Sequence, residues 1–213
     1  FQVSRNHARV ALYRLLHSGD LISPARGFYV IVPPEHQAYG SIPAEELTPL
    51  LMKYLHTDYY VALLSAAAFH GATHQKPTKF QIISSKRREH PLAFGDVEIE
   101  LIYKKHLTKL PSQDFTVSTG YLKVATPELV ALDLLNYPDH AGGLNHIATV
   151  LSELADKLDA NKLIALAGDV NAAYQLQRLG YILEKIDVMD EDKKKMIVNT
   201  LAEFLDGNMK YYL

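Results

Sequence analysis

The chain has 213 residues, 48% of them hydrophobic, and a mean hydropathy of −0.07, as is typical of a globular protein of one or two domains. It contains no cysteine, which excludes disulfides, thiolate metal sites and a cysteine nucleophile and is compatible with a cytoplasmic location. No run of about 18 apolar residues occurs, so we expect no transmembrane helix and no membrane partner.

The formal charge of −2 does not indicate a nucleic-acid partner, but the charge is unevenly distributed. Residues 1–32 carry +3 and residues 76–109 carry +4, whereas residues 33–75 carry −3 and residues 110–213 carry −6. Phosphate binding depends on the local field rather than on the total charge. The two basic blocks are therefore the segments in which contacts with nucleic acid are expected.

The first basic block predicts a helix, a tight turn and a β-hairpin. Ser4 suits a helix N-cap, and Gly19 suits a left-handed stop at the C-terminus. Residues 21–23 and 27–32 read as two strands, joined by a turn at residues 24–27. One helical face is apolar and consists of Ala8, Leu12, Leu15 and Leu16. This order predicts the recognition helix and wing of a winged helix-turn-helix in residues 1–34.

The rest of that helix surface carries side chains that suit a DNA groove. Arginine can bond guanine bidentately, asparagine can do so with adenine, and either can contact phosphate. An arginine at the wing tip could reach the DNA backbone or the minor groove. The predicted DNA-binding residues are Arg5, Asn6, His7, Arg9, Tyr13, Arg14 and Arg26. The alternative is an ordinary solvated amphipathic helix followed by a hairpin.

A helix-turn-helix has further helices before its recognition helix. Only Phe1, Gln2 and Val3 precede Ser4, and the chain does not begin with Met. We therefore expect a truncated winged helix whose first helices are not part of this sequence.

Beyond a proline-rich linker at residues 33–43, the hydrophobic periodicity predicts a larger α+β domain, residues 35–213, with a mainly helical C-terminal half. Two helices, at residues 44–56 and 60–70, precede three strands, at residues 79–85, 97–103 and 121–125. Thr126, Pro127 and Glu128 form a helix start. The helices that follow are predicted near residues 127–136, 144–157, 160–167, 170–185 and 190–205.

The second basic block flanks the first of these strands. Its cations are Lys76, Lys79, Lys86, Arg87 and Arg88. A solvated surface is the simpler interpretation, and a second nucleic-acid surface is the alternative.

Other chemistry is weakly indicated. His70 and His74 have a spacing that could share a metal on a helix, but Gly71 between them predicts the helix end, so an interaction of His70 with the helix dipole is favoured. Asp96, Glu98 and Glu100 alternate on one strand face, as in a metal-dependent nuclease, although a polar outer face explains them more simply. We expect no metal, no cofactor and no catalytic residue.

Three further segments accompany the winged-helix pattern. They are the run from Ser65 to Thr73 (SAAAFHGAT), the run at residues 126–151 (TPELVALDLLNYPDHAGGLNHIATVL) and the run from Arg178 to Leu183 (RLGYIL). Together they resemble the AbiEi family, the antitoxins of type IV toxin–antitoxin systems that also act as transcriptional regulators in phage defence. The resemblance covers nearly the whole chain.

The resemblance implies that the winged helix binds repeats in the chain's own promoter and represses it. It also implies that the C-terminal domain counteracts a toxin of the AbiEii nucleotidyltransferase type, without a stable complex being required. Two alternatives remain open from the residues: a stand-alone winged-helix transcription factor with a ligand-sensing domain, and a nuclease that uses Asp96, Glu98 and Glu100.

Overall fold

A computed structural model describes residues 4–73, 77–88, 90–107, 109–170, 172–185 and 190–208. The helices are α1 (Arg5–Ser18), α2 (Ala44–Tyr54), α3 (Leu63–Phe69), α4 (Pro127–Asn136), α5 (Leu144–Leu154), α6 (Ala160–Val170), α7 (Ala173–Lys185) and α8 (Glu191–Asn208). The strands are β1 (Leu21–Ala25), β2 (Phe28–Ile31), β3 (Tyr59–Val61), β4 (Phe80–Ser84), β5 (Leu92–Phe94), β6 (Val97–Tyr103), β7 (Ser112–Val117) and β8 (Gly120–Ala125). The predicted α+β class is confirmed.

The chain divides into two compact units. The first consists of Phe1–Tyr59, Thr78–Leu107 and Asp114–Lys123, and the second of Tyr60–Pro77, Thr108–Gln113 and Val124–Leu213. Residue 34, the predicted boundary between two functional domains, is not a boundary between these units. The functional division at that residue stays a prediction.

The first unit begins with α1 and the β1–β2 hairpin. The Ser4 hydroxyl accepts a hydrogen bond from the His7 amide, and Gly19 ends the helix at a φ of +81°. Pro24 and Ala25 belong to β1, so the predicted turn at residues 24–27 was too long. The antiparallel register shifts between Ile22 and Ala25. This irregularity accommodates Pro24, which has no N–H to donate to a ladder.

No residue of α1 is buried. Its apolar face, with Leu15 and Leu16, therefore lies at the surface of the described protein. A helix followed by a hairpin is present, whereas the helix-turn-helix arrangement stays a prediction.

The rest of the first unit contains a short 3₁₀ helix (Pro34–Tyr39), α2 and a set of strands in the order β5-β6-β4. β4 runs parallel to β6, with Phe80 opposite Ile99 and Ser84 opposite Tyr103, and β5 runs antiparallel along the other edge of β6. The predicted strand at residues 97–103 is confirmed. Strands β5 and β7 were not predicted.

The second unit is built around α4, of which every residue from Pro127 to Leu135 is buried. Helices α3, α5, α6 and α7 pack against α4, and α8 packs against α6 and α7. The predicted start of this segment, Thr126 as N-cap with Pro127 and Glu128 in the first turn, is confirmed. A helix buried on all sides needs neighbours on all sides, and α3 and the C-terminal helices supply them.

The predicted helix at residues 60–70 was wrong at its start. Tyr60 and Val61 lie in β3, where Val61 pairs in parallel with Val124 of β8. α3 begins at Leu63, which has an unusual positive φ of 52°. The sharp change of direction at Leu63 separates strand from helix within a run that is apolar except for Ser65.

Polar groups inside the second unit are hydrogen-bonded. The Tyr60 hydroxyl donates to the buried Asp133 carboxylate at 2.8 Å, and burial together with the charge of Asp133 raises the pKa of Tyr60. His70, at the C-terminal end of α3, is buried with its Nε2 2.7 Å from the Ala125 carbonyl oxygen. His74 lies outside the described residues. Among the helices that the structure describes, none is long and apolar enough to cross a membrane.

Candidate nucleic-acid interface

The polar surface of α1 is continuous and contains no acidic residue. Asn6, Arg9 and Tyr13 follow one another at three- and four-residue spacing, so they lie on one side of the helix. Arg5, His7 and Arg14 flank that row. All six predicted residues of α1 are exposed, and Tyr13 is 68% exposed. The structure thus brings the predicted residues of α1 together on accessible surface.

His17 extends the same surface by one helical turn. Its ring stacks on the Tyr13 ring, with centroids 6.0 Å apart and an interplanar angle of 6°. It was not among the predicted DNA-binding residues. Its four-residue spacing from Tyr13 is the signal that could have identified it.

The seventh predicted residue, Arg26, lies in the turn between β1 and β2, and its backbone is anchored. The Tyr54 hydroxyl at the end of α2 donates to the Arg26 carbonyl oxygen at 2.8 Å. The Tyr54 ring also contacts the Phe28 ring, with centroids 4.9 Å apart. A Cβ at Gly27, where φ is +81°, would lie 3.0 Å from the Tyr54 hydroxyl. The hairpin tip is therefore held by its backbone, while the Arg26 side chain is exposed.

Asp20, the only acid in residues 1–32, is engaged in hydrogen bonds close to the hairpin. Its carboxylate accepts from the Ser18 hydroxyl at 2.6 Å and from Gln37 Nε2 at 3.1 Å. Its carbonyl oxygen accepts from the Val32 amide at 2.9 Å. This acid therefore joins the two ends of the hairpin.

The described cations of the second basic block occupy two separate places in the first unit. Lys79 precedes β4 and forms an ion pair with Glu98 at 2.9 Å, an interaction that raises the pKa of Lys79. Beyond the other end of β4, Lys86 Nζ donates to the Leu55 carbonyl oxygen and the Arg87 guanidinium lies over the Tyr103 ring. A five-residue strand spans about 17 Å. The described cations therefore lie at the two ends of β4, Lys79 at one end and Lys86, Arg87 and Arg88 at the other.

Of the remaining cations in that block, Arg88 is exposed, and Lys76 lies outside the described residues. The role of the whole block as a second nucleic-acid surface stays a prediction.

Of the three carboxylates proposed for a nuclease, only Glu98 and Glu100 lie on β6, two residues apart and so on one strand face. Asp96 lies in the turn before β6, Glu98 pairs with Lys79, and Glu100 accepts a hydrogen bond from Gln81 Nε2 at 3.1 Å. Within the described ranges, no group of three His, Asp or Glu residues could hold a metal ion. The arrangement fits a polar strand surface.

Fold and surface together define a class: an α+β protein with a basic, acid-free N-terminal helix, a hairpin and a second unit packed around a buried helix. A family model of the AbiEi antitoxin C-terminal domain matches residues 60–185, more than half of the chain. The chain therefore belongs to the AbiEi antitoxin family, as its motifs predicted. This is a family of regulatory rather than enzymatic proteins.

The chain is also similar to a solved structure, the crystal structure of the RV2827C protein from Mycobacterium tuberculosis. The TM-score is 0.62 and the identity is 17%, over 90% of this chain and 69% of the other. At this identity the similarity shows the fold alone. No sequence among curated proteins matches.

Proposed function

We propose that the protein is a type IV antitoxin that also represses its own transcription. In this proposal α1 and the hairpin bind operator repeats of the promoter, and the C-terminal domain counteracts a nucleotidyltransferase toxin of the AbiEii type in the cytoplasm. Membership of the AbiEi family supports the antitoxin role. The observation that carries DNA binding is the exposed face of α1, which holds arginine and asparagine and no acid.

The side chains of α1 and of the hairpin suggest which residues would contact bases and which would contact phosphates. Asn6 and Arg9 have the side chains that bond adenine and guanine edges in the major groove. Arg14, which flanks the row of Asn6, Arg9 and Tyr13, and the wing residue Arg26 suit phosphate contacts, which position a protein but read no sequence. Specificity would then come from α1, and affinity from both elements.

A gel-shift titration with the chain's own promoter tests the DNA-binding proposal. Arg5→Ala, Asn6→Ala and Arg9→Ala are each expected to weaken promoter binding by about 1–3 kcal/mol where they contact bases. Lys195→Ala on α8 removes an exposed cation elsewhere and serves as the control. Equal affinity of the wild-type protein for promoter and scrambled DNA would contradict the proposal.

The second basic block is proposed as a phosphate-contacting surface. Replacing Lys86, Arg87 and Arg88 by alanine is expected to lower affinity for promoter and scrambled DNA alike. The slope of log affinity against log salt should also become shallower, since each phosphate contact contributes about 0.9 to it. An unchanged slope would show that these three cations do not contact phosphates and are ordinary solvated surface.

Antitoxicity is tested by growth rescue. Co-expression of the protein is expected to restore growth to cells that express the toxin encoded by the neighbouring gene. Promoter binding without any rescue would favour the alternative of a stand-alone transcription factor.

A further inference from the structure

A groove in the second unit lies between α4, α5 and α7 and has a volume of about 600 Å³. Its apolar lining is supplied by all three helices: Leu135 from α4, Leu144 and Ala148 from α5, and Tyr181 and Ile182 from α7. We propose that this groove binds an acidic amphipathic helix of a partner protein. The inference goes beyond the proposed function, because it requires neither DNA binding nor toxin neutralisation.

Large apolar side chains remain uncovered at the groove. Leu144 is 47% exposed and Tyr181 is 65% exposed. Covering contiguous apolar surface is favourable, and such surface on a folded protein marks interaction sites. Tyrosine and arginine are also enriched in the buried centres of protein interfaces. The lining therefore has the composition of a protein-binding surface.

The charge of the groove indicates the chemistry of the partner. Arg178 and Lys185 line it, and none of the described lining residues is acidic. This is unexpected in a segment, residues 110–213, that carries a net charge of −6. A partner with carboxylates beside an apolar stripe would complement both properties of the groove.

Arg178 and Lys185 each lie over a tyrosine ring, two helical turns apart on α7. The Arg178 guanidinium lies 4.8 Å from the centroid of the Tyr174 ring, and Lys185 Nζ lies 5.7 Å from that of the Tyr181 ring. Arg178 and Lys185 are seven residues apart on α7, which corresponds to two turns or about 10.5 Å. Carboxylates seven residues apart on a partner helix have the same spacing. An amphipathic helix in a groove is a recurrent mode of recognition that presents its apolar anchors in this way.

A titration of the full chain with two synthetic peptides of about four helical turns tests the proposal. One peptide carries leucines at i, i+3, i+4 and i+7 with glutamate elsewhere, and the other carries lysine in place of glutamate. We expect the acidic peptide to bind, and to perturb the NMR signals of α4, α5 and α7. Arg178→Glu/Lys185→Glu should weaken its binding at least about tenfold, equivalent to 1.4 kcal/mol.

The matched control is Lys162→Glu/Lys195→Glu, which makes the same charge change at exposed positions on α6 and α8. This control should leave the affinity for the acidic peptide within about twofold of the wild-type value, which is small beside the loss of about tenfold expected for Arg178→Glu/Lys185→Glu. Arg178→Gln/Lys185→Gln is the milder variant if charge reversal impairs folding, as monitored by circular dichroism.

Three results of the peptide titrations would overturn the proposal, and a fourth comes from an RNA titration. They are no binding of the acidic peptide, equal binding of the lysine peptide, and acidic-peptide binding that is insensitive to both pairs of substitutions at Arg178 and Lys185. Single-stranded oligouridine is titrated in parallel, and stronger binding of this RNA at the same residues would reassign the groove to nucleic acid. Because the assay contains neither promoter nor toxin, its failure is distinct from failure of the proposed function.

Discussion

The Tyr54 hydroxyl makes one hydrogen bond between the end of α2 and the hairpin tip. Its bond to the Arg26 carbonyl oxygen fixes the backbone of the residue that the DNA-binding proposal places at the minor groove or phosphates. The Phe28 contact holds the Tyr54 ring in place independently of the hydroxyl. Removing only the hydroxyl should therefore loosen the tip without removing the ring packing.

We expect Tyr54→Phe to lower the free energy of unfolding by about 1 kcal/mol, the net contribution of an ordinary hydrogen bond, as measured by urea denaturation. It should also weaken promoter binding, but not further in an Arg26→Ala background, because both substitutions act through one side chain. Additive effects on affinity would contradict this role. Tyr121→Phe, at an exposed position of β8, is the control.

The raised pKa of Tyr59, which lies next to Tyr60 in β3, should make the protein less stable at high pH. Burial is the main reason that the pKa of Tyr59 rises from 10.0 to about 12, and the charge of Asp114 adds to it. The unfolded chain therefore ionises this group first, so its contribution to stability is complete below pH 10 and is lost as the pH rises through about 12. Urea denaturation across this window should show a smaller decline for Tyr59→Phe than for the wild type. An identical decline would contradict the prediction.

At the scale of elements, the turn between β5 and β6 packs tightly against the end of the 3₁₀ helix. A Cβ on Gly95 would lie 2.2 Å from the Tyr39 carbonyl oxygen and 2.7 Å from Gly40 Cα, and φ at Gly95 is +54°. The Asp96 amide donates to the same Tyr39 oxygen at 2.9 Å. Backbone on both sides leaves no room for a side chain.

Gly95→Ala should therefore cost about 2 kcal/mol or more, because steric overlap and an unfavourable φ act together. Gly180 in α7 is the contrasting position, since a Cβ there would meet no atom within 4 Å beyond its chain neighbours and the backbone of its own helix, and its φ is ordinary. Gly180→Ala should gain about 0.5–1 kcal/mol from helix propensity. Thermal unfolding of both variants tests the pair, and a stabilised Gly95→Ala protein would contradict the steric reasoning.

Elements with strong local signals could be predicted from the sequence. β6 was recognised from alternation around Ile99, and α4 from Thr126 and Pro127 at its start. β3 could not be separated from α3, because the residues from Tyr60 to Phe69 are all apolar except Ser65. The break at Leu63 is a backbone conformation that its side chain does not signal. β5 has only three residues and β7 is largely polar, so neither shows a periodic pattern.

In the candidate interface, too, local features could be predicted from the sequence and contacts between distant residues could not. The face of α1 could be read from helical spacing, because it is local in sequence. The anchoring of Arg26 by Tyr54 joins residues 28 positions apart, and such a contact leaves no local pattern. The pairing of Lys79 with Glu98, which reduces the case for a nuclease site, is equally non-local.

At the scale of the whole molecule, the two proposed activities draw on different parts of the chain. Arg5 and Arg9 lie in α1, whereas the family match covers residues 60–185. We expect Arg5→Ala/Arg9→Ala to lower promoter affinity at least about tenfold, or 1.4 kcal/mol, and to leave growth rescue unchanged. Loss of rescue at normal protein levels, checked by immunoblot, would show that the two activities are coupled.

The arrangement of β4, β5 and β6 also has a kinetic consequence. β5 and β6 are joined by a two-residue turn, whereas β4 meets β6 only after the chain has closed a longer loop, which costs more conformational entropy. The β5–β6 hairpin should form early and serve as the template onto which β4 docks. Leu92→Ala in β5 should then mainly slow folding, and Ile83→Ala in β4 mainly speed unfolding, in stopped-flow experiments. The reverse pattern would mean that the distant strand pair forms first.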